Sequence, residues 1–198
     1  MNENVDIESL KNDKEFLEKV KELEKEVKES DSLAKIYQLL DVYLALQEDE
    51  SKINELFQKI VDKSFETIAT KIEKGEKLDL SNPDEWAAAR GIYEHAISLY
   101  SQNDKKNAQE LFLALNHTID DFEIKDAMMV HAAAVGSGYS FDEFINKLTK
   151  VGDSDISNPK DVFIVNFSQP ADILLEMMKD EVAKLNARLE KLKKAQES

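Results

Sequence analysis

Apolar residues recur through this chain at steps of three and four, with little to interrupt them. Ile53, Leu56, Phe57, Ile60, Val61, Phe65, Ile68 and Ile72 keep the pattern without a break until Gly75. Such spacing gathers side chains on one helical face, whereas a strand would alternate every second residue. With 5 Gly and 3 Pro in 198 residues, few positions can stop a helix. The expectation is an all-α fold of antiparallel helical hairpins, an α-α superhelix or an irregular bundle. It should form a single domain over residues 1–198 around one core.

Residues 7–30 read as an N-terminal helical arm whose narrow seam, Phe16, Val20, Leu23 and Val27, needs a partner helix. Residues 31–151 read as three hairpins. The first starts at Asp31, a good cap, and carries the broad face Leu33, Ile36, Leu39, Leu40, Tyr43 and Leu44 into the run that ends at Gly75. The next begins at Asn82-Pro83-Asp84-Glu85: Asn82 caps, Pro83 fills the first turn, and Glu85 can reach back. Trp86 follows and is expected to be buried.

The third hairpin pairs the nearly uncharged Ala127–Val135 stretch, closed by Gly136-Ser137-Gly138, with a helix from Phe141 to Val151 that opens on a Ser140/Glu143 capping box. Residues 152–169 read as an acidic loop leading into Val162–Phe167, the most strand-like run in the chain. An extended crossover packed on helices is favoured there over an edge that pairs with another chain. Residues 170–196 read as one long helix with a heptad seam: Leu175, Met178, Val182, Leu185, Leu189 and Leu192. That seam suits packing on the N-terminal helix or coiled-coil dimerisation.

Charge and composition narrow the function classes. A net charge of −15 disfavours nucleic-acid binding, which needs clustered Lys and Arg, and favours a protein partner with basic segments. No run approaches the roughly 20 apolar residues of a membrane helix, so no membrane insertion is expected. The opening MNENVDIESLKNDKEF lacks the pattern of a signal peptide, and the absence of cysteine excludes disulfides and thiolate chemistry. Together these fit a cytoplasmic location.

Chemistry is sparse. None of His95, His117 and His131 has Glu or Asp three or four residues before it, as a di-iron bundle requires. His117 and Asp121 offer two ligands where a stable metal site needs three or four. His131, in an apolar helix, reads as a buried histidine satisfied by a hydrogen bond rather than as a base. Val135-Gly136-Ser137-Gly138 lacks the lysine and preceding strand of a phosphate loop. No catalytic, cofactor-binding or metal-binding residue is assigned.

Ala89–Leu115 is the most informative stretch. Ile92, Ala96 and Leu99 form one helical face, Asn103-Asp104 makes a turn and cap, and Ala108, Leu111, Phe112 and Leu115 form the facing surface. The order bulky, small, bulky, small, aromatic at Ile92, Ala96, Leu99, Ala108 and Phe112 resembles a tetratricopeptide repeat, with His95 and Leu115 departing from its pattern. Ile36-Tyr37 with Glu55-Leu56-Phe57 echo Ile92-Tyr93 with Glu110-Leu111-Phe112, suggesting two related hairpins rather than a regular array.

On the same first helix Arg90, Tyr93, Ile97 and Tyr100 form a separate stripe. The resemblance implies that these four line a concave groove that receives a peptide. Packing of Tyr93, Ile97 and Tyr100 against the preceding hairpin is the competing expectation. The leading functional expectation is a non-enzymatic protein-binding scaffold, adaptor or chaperone. The alternatives are a homo-oligomer built through the terminal helices and an enzyme or small-ligand carrier with a core site near His131.

Overall fold

Helices from the second to the eighth in chain order each start where a short polar side chain takes up free backbone N–H groups. The computed structural model describes residues 7–150 and 162–196. In order these form α1 (Ile7–Asn12), α2 (Lys14–Glu29), α3 (Leu33–Leu46), α4 (Glu50–Lys74), α5 (Pro83–Ser101), α6 (Lys105–Thr118), α7 (Phe122–Gly136), α8 (Phe141–Glu143) running on into a π-helical turn Phe144–Leu148, α9 (Ala171–Met177) and α10 (Lys179–Gln196). The fold is all-α, and the described residues contain no strand. The acidic stretch read as a loop before 162, and Val151 at the end of a predicted helix, lie outside the described residues.

The caps follow the sequence closely. Asn82 Oδ1 accepts from the Asp84 and Glu85 N–H groups with Pro83 in the first turn, Asp104 caps α6, and Ser140 and Glu143 form the capping box. Gly75 ends α4 at φ 65°, a left-handed conformation that suits glycine.

Other boundaries move. Ser32, not Asp31, caps α3, and Asp31 pairs instead with Lys63 at 2.9 Å. Asp84 reaches from α5 to accept from Ser32 Oγ and the Ala34 N–H, tying the starts of the two helices together. Glu85 turns to the Asp79 N–H and to Lys71 rather than back to its own cap. The single N-terminal helix is broken at Asp13, whose carboxylate accepts from the Glu15 and Phe16 N–H groups and so begins a new helix. The long C-terminal helix is broken at Met178, and the bend lets both Leu174 and Leu185 be buried.

From α2 to α7 each helix packs on the next, and α3 also meets α5 as α4 meets α6, so the chain is a stack of antiparallel hairpins. Buried side chains fall in two clusters rather than the single core expected. One joins Val20 and Val27 to α3 and the first half of α4; the other centres on α5, α6 and α7. Helix α4 serves both, with Ile60 in the first and Ile68 in the second. The terminal helices use their seams in different places: α2 packs on α3, and α10 packs on α6 and α7. The heptad residues Leu185 and Leu189 are buried there within the chain, so they are not free to form a coiled coil with another copy.

Val162–Phe167 is not a strand. It is an extended crossover with Phe163 and Phe167 buried, held by one isolated bridge between Thr149 and Phe167 and by the Lys150 N–H on the Asn166 carbonyl at 3.0 Å. Its backbone is satisfied partly by side chains, which is why strand-forming residues produce no sheet here.

Candidate functional site

Tyr93 and Tyr100 lie inside the protein, 3% and 1% exposed, which no partner can contact. This corrects the expectation that they line a peptide groove. The stripe is apolar enough to bury, and later elements cover it. Tyr93 packs edge-on against His131 of α7 and Phe163 of the crossover, and Tyr100 edge-on against Phe141 and at a tilt against Phe144. These partners follow α5 in the chain, so packing on the preceding hairpin does not describe the two tyrosines either. Ile97 is half-buried against the same core.

Arg90 is committed to structure as well. Its guanidinium lies 4.2 Å from the Tyr37 ring centroid, and its Nε donates to Glu94 at 2.7 Å, while Tyr37 Oη donates to the other Glu94 oxygen at 2.9 Å. Cation–π stacking and the shared carboxylate clamp α3 to α5. Trp86 is half-buried beside them.

His131 is fully buried and fully satisfied. Its Nδ1 lies 2.7 Å from the Ala127 carbonyl, which can only accept, so the proton sits on Nδ1. Nε2 then accepts from Tyr93 Oη at 3.2 Å, and that hydroxyl oxygen accepts from the Ile164 N–H at 2.9 Å. One unbroken relay thus runs from the crossover to α7. Burial pushes the His131 pKa down to about 4, against the opposing effect of the Ala127 carbonyl. Phe112, Phe144 and Phe167 also pack on the ring. The imidazole meets aromatic rings on its faces rather than a cavity, which removes the support for a ligand site at its wall.

Asp121 caps α7 through the Ile124 N–H. Among the described residues, no three His, Asp or Glu side chains converge as a metal site would require. None of the described helices is long and apolar enough to cross a membrane.

The site that spacing alone missed is on the outside of α4. A groove of about 510 Å³ opens between α4, α6 and α10, lined by Phe65, Ala69, Ile72, Leu111, Ala114 and Leu192, with Ile92 of α5 in its floor. Phe65 and Leu192 are 40% and 38% exposed, unusual for large apolar residues. At its rim Arg188 is held by Glu110 and Gln109, and Lys191 stands beside them. A smaller depression of about 260 Å³, lined by Phe57, Val61, His95 and Ser98 among others, continues the same side of α4 toward its N-terminus. The edge-on contact of Phe65 with His95 sits between the two.

One signal in the sequence pointed here. On α4 the positions Phe57, Val61, Phe65, Ala69 and Ile72 form an apolar row in addition to the inward-facing Leu56, Ile60 and Ile68. Helix α4 is thus apolar over more of its circumference than one packed face needs. No known protein family, curated protein or solved structure matches the chain.

Proposed function

We propose that this protein is a non-enzymatic scaffold that holds an amphipathic helix of a basic protein partner in the groove between α4, α6 and α10. The observation that carries the proposal is the exposed apolar row on α4, Phe57 to Ile72. At 1.5 Å per residue it runs for roughly 22 Å, about four helical turns. That length, shared between the groove at Phe65, Ala69 and Ile72 and the depression at Phe57 and Val61, suits a helix laid along both, with its apolar face down, better than a small molecule. The net charge of −15 favours encounter with a partner whose polar face is basic.

A photo-crosslinking residue placed at Phe65 or at Leu192, in the native cell, is expected to capture one protein from both positions. The purified partner should then bind the native chain and lose affinity at least tenfold, about 1.4 kcal/mol, with Phe65→Glu while the melting temperature is retained. Unchanged affinity in that variant would refute the groove. Adducts only with a second copy, together with a dimer mass by light scattering, would replace the scaffold with a homo-oligomer.

A further inference from the structure

The two flanks of α10 face different cavities. Arg188, Lys191 and Leu192 face the groove, whereas Val182, Asn186, Leu189 and Lys193, at steps of four, three and four, face a separate pocket of about 300 Å³. Three lysines meet in that second pocket, Lys77, Lys125 and Lys193, although the chain as a whole is strongly acidic. Asp126 is the one carboxylate among the lining residues.

Each lysine comes from a different element, and the backbone fixes how they meet. Lys77 lies in the connector between α4 and α5, which is pinned to the end of α6 by the Leu78 N–H on the Thr118 carbonyl at 2.8 Å. Its Nζ donates to the His117 carbonyl, and an ammonium group has three donors, so two remain. Lys125 stands in α7, where its carbonyl accepts from Nδ2 of the nearly buried Asn116 at 2.8 Å. Lys193 pairs with Glu190, outside the lining, at 3.1 Å. Among the described residues neither Lys77 nor Lys125 has an ion-pair partner.

Gathering three ammonium groups with fewer carboxylates beside them costs energy that an anion between them would recover. Partial burial, then the neighbouring Lys125 and Lys193, hold the Lys77 pKa below the ordinary lysine range, with Asp120 acting in the opposite sense. With Lys193 paired to Glu190, Lys77 and Lys125 against Asp126 leave one positive charge in excess, and the three acceptor oxygens of a phosphate can take the two free Lys77 donors together with those of Lys125, which the two oxygens of a monocarboxylate match less fully. The remaining wall is apolar, from Met129, Leu175, Val182 and Leu189.

We propose that this pocket binds a small phosphomonoester, its phosphate among Lys77, Lys125 and Lys193 and its apolar body against Met129, Leu175 and Val182. The site is separate from the α4 groove and does not depend on it.

Titration calorimetry on the full chain tests this with phenyl phosphate, inorganic phosphate and benzoate as probes. Phenyl phosphate is expected to bind one to one, more tightly than inorganic phosphate and much more tightly than benzoate. Lys77→Gln with Lys125→Gln should weaken it about tenfold or more, while Phe65→Glu leaves it unchanged. Binding should also raise the pKa of Lys77, read from its Nζ resonance. The single variant Lys125→Gln, whose side chain makes no hydrogen bond among the described residues, repeats the test if the pair disturbs folding. No saturable binding of phenyl phosphate, equal binding of benzoate, or unchanged affinity in the lysine variants would overturn the assignment.

Discussion

Ser64 of α4 lies directly against Gly91 of α5. A Cβ at Gly91 would overlap Ser64 Oγ and come within 3.1 Å of Ile60 Cγ2, and the Ser64 hydroxyl is fully buried without a hydrogen-bond partner. Gly91→Ala is therefore expected to cost about 1–3 kcal/mol by overpacking. Ser64→Ala, which removes an unsatisfied polar group, should be neutral or stabilising. The double variant should be less destabilised than the sum of the singles, read from urea midpoints in a double-mutant cycle. His131 gives a second prediction at this scale. Its folded pKa of about 4 lies below the ordinary 6.5, so between these values the unfolded chain takes up a proton that the folded chain does not. Its contribution is complete above pH 6.5 and falls away as the pH drops to about 4, by about 3 kcal/mol. Denaturation midpoints measured across that range should show this loss in the native chain and not in His131→Phe. Neither the unsatisfied hydroxyl nor the relay through Tyr93 was legible in sequence, because the partners lie on separate helices.

At the level of elements, starts and stops were legible wherever one local side chain decides them. Asn82-Pro83, Asp104, Gly75 and the Ser140/Glu143 box all act within a few residues, and all stand where the spacing placed them. The break at Asp13 is equally local, a carboxylate on the Glu15 and Phe16 N–H groups, but the apolar seam around it hid the cap; at Met178 the helical period continues and packing selects the bend. The stripe on α5 shows the same division: its spacing marked a second face, but the cover came from α7 and the crossover. Arg90 illustrates what that face does. Arg90→Leu should destabilise the protein by about 1–3 kcal/mol, since Tyr37 and Glu94 lose the group that joins them across α3 and α5; the figure is modest because Glu94 is partly solvated. Affinity for a partner in the α4 groove should be unchanged, which separates a clamp from a contact. Leu185→Ala on α10 should cost more, about 2–5 kcal/mol, because it empties a fully buried position between α10 and the core.

For the whole molecule, the division of the buried side chains into two clusters sets which parts open first. Helix α2 joins the smaller cluster through the narrow seam of Val20 and Val27 and α1 through the partly buried Leu10, while α6 and α7 lie in the centre of the larger. Hydrogen exchange is expected to be fastest in α1 and α2 and slowest in α6 and α7; uniform protection along the chain would contradict this. The two cavities flanking α10 belong to this scale too, since each draws walls from segments far apart in sequence. What the sequence by itself determined was the helical class, the hairpins and most of their caps, because periodicity and capping are local and act over a few residues. What only the tertiary structure decided was which apolar faces stay uncovered. Tyr93 and Tyr100 looked available and are buried; Phe65 and Leu192 looked like core and are exposed. A side chain's spacing fixes the face it occupies, but burial depends on which distant helix arrives to cover that face.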